Sequence, residues 1–207
     1  MPSVFKRALL LYALTGLCLN AFALCAKPVY LTFDTGHMGV APLIADVLKR
    51  QQVKVTFFAA NEPTQEGDGT LGEHWAPWWR ARAEEGHAFA SHTFDHVYWQ
   101  ADHSPEGWKM KPSAGPNKGI SSIWTPKQYC AEIQRANSRL QEITGKKPLS
   151  LFRAPGGKTS PSLLAAAKQC GFGHVGWADA GFLGDELSRD RKSTRLNSSH
   201  LVISYAV

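Results

Sequence analysis

Apolar positions between residues 29 and 178 follow two alternating periods. Short runs at 29–33 (VYLTF), 55–59 (VTFFA), 87–91, 149–154 and 174–178 predict buried strands. Between them the spacing turns helical. Residues 40–51 place Leu43, Ile44, Val47 and Leu48 at helical intervals, and residues 75–85 predict a second helix stopped by Gly86. Thr125-Pro126-Lys127-Gln128 is a capping box with Pro at the first helical position. Tyr129, Ile133, Leu140 and Ile143 then share one face, and Gly145 ends that helix. Ser160-Pro161 opens another, closed by Gly171. This alternation predicts an α/β fold, a parallel sheet or barrel with its reactive groups at the C-terminal strand ends. Two stretches interrupt it. Residues 61–72 are rich in Gly and charge, and residues 100–124 in Pro, Gly and Ser, so both are expected as long loops rimming a cleft.

The two ends change the picture. Residues 1–26 have the order of an export signal: Lys6 and Arg7, an apolar run from Ala8 to Leu19, then small-residue cleavage sites at Ala23 or Ala26. That run is shorter than the ~20 residues a bilayer span needs. A secreted or periplasmic protein with no stable membrane anchor is expected. Residues 190–207 (DRKSTRLNSSHLVISYAV) carry neither cap nor period and read as one frame of a sequencing-library adapter, so they are expected to be a non-native tail. The domain is then residues 27–189, cut short at its C-terminus. Over those residues 18 Lys and Arg face 16 Asp and Glu, so most of the chain's formal charge of +6 lies in its ends. No basic stripe remains for nucleic acid. Cys130 and Cys170 are the two cysteines of this domain, and an oxidising compartment would permit a bridge between them.

Polar residues gather where the strands end. Asp34 closes the first strand in Thr32-Phe33-Asp34-Thr35-Gly36, as a general base or as the cap of the following turn. His92 and His96 follow the third strand in Ser91-His92-Thr93-Phe94-Asp95-His96. In a helical turn, two His four residues apart face one side and can share a metal ion; otherwise they are surface groups of a loop. Asp95 is positioned to orient a ligand or to face water. Arg153, in Arg153-Ala154-Pro155-Gly156-Gly157, is a permanent cation able to hold a carboxylate ionised and oriented, or to pair a surface acid; Asp179 is one possible partner.

The order and spacing of these three segments resemble the polysaccharide deacetylase family, the NodB-homology carbohydrate esterases. The resemblance covers residues 28–188. It implies a distorted (β/α) barrel, incomplete here, and a metal-dependent hydrolase that removes N-acetyl or related acyl groups from an amino sugar polysaccharide. It casts Asp34 as catalytic base, Arg153 as its catalytic partner, and His92 and His96 as ligands of a divalent metal, zinc first among the candidates. Pro155, Gly156 and Trp99 are expected to touch substrate, with Trp75, Trp78 and Trp79 divided between the sugar groove and the core. Two departures stand out. Thr35 occupies the position where the family carries a second, metal-ligating Asp, with His37 or Asp95 as possible substitutes. The family's late Leu-x-His motif, source of the acid that protonates the leaving amine, does not follow Asp179. A carbohydrate-binding relative without catalysis, or an inactive fragment, is the alternative these departures support.

Overall fold

The computed structural model describes residues 30–103 and 107–177, together with the backbone of 202–206. Residues 1–26, expected as an export signal, and Asp179 and His200 lie outside the described residues. In chain order the elements are β1 (Tyr30–Asp34), α1 (Ala41–Gln51), β2 (Thr56–Ala59), α2 (Ala76–Glu84) and β3 (Ala88–Ser91). Then come β4 (Val97–His103), β5 (Gly107–Pro112), β6 (Ser122–Trp124) and α3 (Pro126–Thr144). The chain continues with β7 (Leu151–Phe152), α4 (Pro161–Gln169), β8 (Gly173–His174) and β9 (Val202–Ala206).

Six strands form one parallel sheet in the order β8-β7-β3-β2-β1-β9, curled into a half-barrel of the α/β class. The expected strands and helices are therefore present, with the fourth and fifth strands shorter than their apolar runs. Parallel pairing aligns the C-terminal ends: Asp34 is in register with Phe58, and Ala59 with Ser91. Ser91 in turn pairs with Phe152. The residues that follow these ends, at 35, 60–62, 92–96 and 153, are thereby delivered to one rim.

The helices hold that rim in place. At α3 the Thr125 hydroxyl accepts from the Gln128 amide and the Gln128 side chain accepts from the Thr125 amide, completing the predicted capping box. Beneath it, Tyr129 and Ile133 join one core cluster with Trp108, Phe152 and Leu163. A second cluster centres on Phe57, which stacks on Phe33 and Phe89 and meets Trp78 and Trp79 edge-on. Trp79 is fully buried and its indole donates to Thr70 O. The Trp75 indole donates to Glu66 O. Trp78 and Trp79 thus belong to the core, which draws on them because β2 presents Phe57 to α2. A disulfide joins Cys130 near the start of α3 to Cys170 at the end of α4.

One expectation is corrected. Residues 100–124 are no loop. They supply most of a three-stranded antiparallel sheet, β4-β5-β6. Trp108, Met110 and Pro112 are buried while Lys109 and Lys111 are exposed, so a period of two ran beneath the Gly and Pro content. Val202–Ala206 lies parallel to β1, pairing Tyr30 with Val202 and Asp34 with Ala206. A free strand edge offers a row of unpaired N–H and C=O groups, and VISYA is a β-prone segment.

Candidate active site

Arg153 and Asp34 form the floor of the rim. Arg153 is completely buried, and its Nη1 donates to Asp34 Oδ1 at 2.6 Å. Its Nη2 donates to Thr32 Oγ1 at 2.9 Å and its Nε to Val175 O at 3.0 Å. The guanidinium lies 4.2 Å from the centre of the Phe58 ring. Three fixed donors and a stacked face leave the fork one orientation, and Asp34 is held in that orientation's line. The partner left open by the sequence is thus Asp34.

His92 stands across from Asp34, its Nε2 3.9 Å from Asp34 Oδ2. The His92 and His96 ring centres are 4.8 Å apart. The expected helical turn is not what joins them. Thr93 and His96 both have left-handed backbones, at φ 60° and 48°. The turn is tied by Thr93 N–H to Ser91 Oγ and by Val97 N–H to Thr93 Oγ1.

The hydrogen bonds fix which nitrogen of each ring carries its proton. Arg153 O, 2.9 Å from His92 Nδ1, can only accept, so His92 Nδ1 is protonated. The Ser113 hydroxyl gives its one proton to His96 O and so accepts from His96 Nδ1 at 2.6 Å. Both imidazoles are left with a bare Nε2, the arrangement that outer partners impose on metal-binding histidines. Burial keeps both neutral, lowering His92 below the usual histidine range and His96 to about 2. Among the described residues no three His, Cys, Asp or Glu side chains close into a ready cage. The two bare Nε2 atoms are nitrogen donors of the kind that divalent cations accept.

Thr35 does not stand in as a ligand. Its hydroxyl accepts from the Ala60 amide at 2.8 Å and directs its proton towards Ala60 O and Glu62 Oε2, at 3.4 and 3.3 Å. Both substitutes weighed from sequence are engaged elsewhere. His37 is exposed and accepts from the Gly39 amide, and Asp95 pairs with Arg135 at 3.1 Å. The sequence reading missed Glu62, whose Oε1 lies 3.6 Å from His96 Nδ1. Burial, with a smaller contribution from Asp34, raises the Glu62 carboxyl to about 7, against the hydrogen bond from Thr35. Nothing in the spacing of Glu62 marks it, because loop folding carries it to the rim.

The expected substrate contacts divide. Trp99 is half-buried on the face of β4 that packs on the core, and its indole donates to Asp102 Oδ1 at 3.1 Å. The alternation of the strand turns Tyr98 to the other side, where its ring centre is 5.0 Å from that of His96. Pro155 is buried beneath a tight turn. Gly156, at φ 63°, lies so close to the Tyr98 ring that a Cβ there would stand 2.8 Å from it. A cavity of about 440 Å³ opens beside Tyr98 and Ser113 and is lined also by Lys111, Lys118 and Lys158, with no carboxylate among its lining residues.

Comparison with known proteins agrees with this geometry. The polysaccharide deacetylase family profile matches residues 23–175. A peptidoglycan-N-acetylmuramic acid deacetylase of Bacillus subtilis, PdaA, is 27% identical over 155 residues, 74% of this chain and 48% of that protein. A chitooligosaccharide deacetylase of Azorhizobium caulinodans is 26% identical over 151 residues, 72% of this chain and 58% of that protein. The chain spans about half the length of these curated relatives. Among solved structures, a family 4 carbohydrate esterase from Streptomyces lividans superposes with a TM-score of 0.58 at 20% identity, covering 88% of this chain and 79% of the other. The half-barrel, the ordered rim residues and the profile match over most of the chain together place it in the polysaccharide deacetylase family.

Proposed function

We propose that this rim is the catalytic centre of a hydrolase that removes N-acetyl or related acyl groups from the amino sugars of a polysaccharide. The observation that carries the reading is the buried Asp34–Arg153 pair, aimed at two histidines whose Nε2 atoms are bare. A divalent cation held by His92 and His96, zinc first among the candidates, would supply polarisation of the amide carbonyl and acidify the attacking water. Asp34 takes that water's proton as oxygen adds to the carbonyl carbon, a contribution of about 10²–10⁴ in rate. Arg153 keeps the base aligned through the step. Returned to the departing nitrogen as the C–N bond breaks, the proton leaves a free amine and a carboxylic acid.

The lysine-lined cavity beside His96 suits a polymer that carries carboxylates, as peptidoglycan does, better than a neutral chitooligosaccharide. Export is part of the same reading: residues 1–26 are proposed as its signal, and the Cys130–Cys170 bridge persists in an oxidising compartment. Residues 27–189 are proposed as the native domain portion, with 190–207 as foreign sequence.

Acetate release from N-acetylated peptidoglycan and from chitooligosaccharides, with wild type and Asp34→Asn, tests this. Wild type should release acetate, faster from peptidoglycan, and the variant should lose at least a hundredfold in kcat. A variant that keeps most of its kcat removes Asp34 from the role of base. Thr35 favours the second reading, a carbohydrate-binding relative without catalysis; saccharide binding with no acetate release from either form would support it.

A further inference from the structure

We propose that Lys111, Lys118 and Lys158 form a subsite that grips a carboxylate of the saccharide, apart from the rim that cleaves the acyl group; the inference deepens the deacetylase reading above and rests on it for the saccharide nature of the ligand. Three segments deliver these lysines to the cavity of about 440 Å³. Lys111 belongs to β5, Lys118 to the turn that follows it, and Lys158 to the turn after β7. Lys111 is the cross-strand partner of Tyr98, so the two share the outer face of the antiparallel sheet. The chain then folds back. Gly119 N–H donates to Pro112 O and Lys118 N–H to Gly115 O, at 2.8 and 3.2 Å, which returns Lys118 to the end of β5. On the other side Gly156 presses against the Tyr98 ring, and two residues later the Lys158 ammonium stands 5.8 Å from the centre of that ring.

This wall has one sign of charge. Among the described residues no carboxylate pairs with any of the three lysines, and none lines the cavity. Like charges gathered along a cleft focus the field into it and draw an anion from solution. Each ammonium brings three donors and no acceptor, so the group that satisfies all of them together is one that only accepts, as a carboxylate does. The half-buried Tyr98 ring supplies the apolar wall against which the sugar itself can rest.

The cavity adjoins the reaction centre without being part of it. Ser113 belongs to its lining and holds His96 Nδ1 at 2.6 Å, and the Tyr98 ring is 5.0 Å from that of His96. The cavity thus meets His96 from the Nδ1 side, away from the bare Nε2. The carboxylate bound there sits on a substituent or sugar unit beside the one whose acyl group is cleaved.

The test is equilibrium binding to the full chain carrying Asp34→Asn, which slows turnover, with three probes. They are neutral N-acetylated chitotetraose, a peptide-free muramic acid tetrasaccharide with carboxylates on its lactyl groups, and the same glycan bearing stem peptides, whose carboxylates lie on the peptide. With all lysines present, one or both acidic probes should bind about tenfold more tightly than chitotetraose, and the preference should shrink as salt rises. The preferred probe identifies the source of the carboxylate. Lys111→Gln, Lys118→Gln and Lys158→Gln should each reduce the preference, and the triple variant should abolish it with chitotetraose affinity unchanged. Lys147→Gln removes the same charge from an exposed site outside the cavity and should leave the preference intact. No binding, equal affinity for all three probes, or a preference that survives in the triple variant would overturn the subsite. So would an equal loss in Lys147→Gln, which would trace the preference to overall charge. Acetate release by the wild-type chain is measured in parallel: its absence counts against the deacetylase reading, while the binding preference still decides the subsite.

Discussion

Asp34 and Arg153 are 119 residues apart along the chain, and their side chains meet at 2.6 Å in the interior of the fold. The contact ties β1, near one edge of the parallel sheet, to the residue after β7 near the other. Neither partner is more than slightly exposed, so the pair is structural as well as chemical. Arg153→Leu leaves Asp34 as an uncompensated buried charge, and the cost expected is about 3–5 kcal/mol in urea unfolding. A change below about 1 kcal/mol would mean that water reaches Asp34 in the folded chain.

Thr35 carries a separate structural duty. Its hydroxyl is the acceptor for the buried Ala60 amide. Thr35→Val keeps the shape of the side chain and removes that acceptor, at an expected cost of about 1–3 kcal/mol. Thr35→Ser should keep most of the stability. Equal denaturant midpoints for Thr35→Val and wild type would contradict this account.

The Cys130–Cys170 bridge closes a loop of 40 residues between α3 and α4. Cross-links of this span stabilise folded chains by about 2–4 kcal/mol, chiefly by restricting the unfolded state. The Cys130→Ala/Cys170→Ala double variant should show that loss by urea unfolding, and reduced wild type should match it. No difference between oxidised and reduced protein would mean the bridge is dispensable.

Acid should destabilise the metal-free fold through its buried histidines. His87 shows the cause plainly: its Nδ1 accepts from the Val55 amide at 3.2 Å, a bond that protonation breaks. Burial holds His87, His92, His96 and His174 below the ordinary value of 6.5. Below pH 6.5 the unfolded chain takes up protons that the folded chain refuses, so stability falls with pH, by up to about 1.4 kcal/mol per unit for each such group. Glu62 and Glu132, raised above the usual carboxyl range, oppose this because the folded chain keeps their protons longer as pH rises. Four groups outweigh two, and the melting temperature should drop between pH 6.5 and 5. His87→Gln should flatten that profile; an unchanged slope would count against His87 as a contributor.

The fold was legible wherever one pattern dominated its segment. The runs VYLTF and VTFFA, and the capping box at Thr125, each announce one element, and each forms. The antiparallel sheet was hidden because Ser113, Gly115, Pro116 and Gly119 gather beside a strand whose alternation spans only six residues. Asp34, His92, His96 and Arg153 stand at strand ends, and sheet register brings them together. Glu62, Ser113 and Tyr98 reach the same rim through loop closure and strand facing, which residue spacing does not encode. Tyr98 carries no mark in the sequence; only the register of β4, Tyr98 with Lys111 and Trp99 with Met110, shows which of the two faces the groove.

The left-handed backbone of His96 sets the protein's stability against its chemistry. At φ 48° a branched or ring-bearing residue is held at a cost of about 1 kcal/mol, which Gly, and to a lesser degree Asn, would relieve. A campaign that ranked variants by heat resistance alone would therefore be drawn to replace His96, and would report success while discarding one of the two imidazoles. Thermostable descendants of this chain would have to be selected with an assay of the site running alongside the melt.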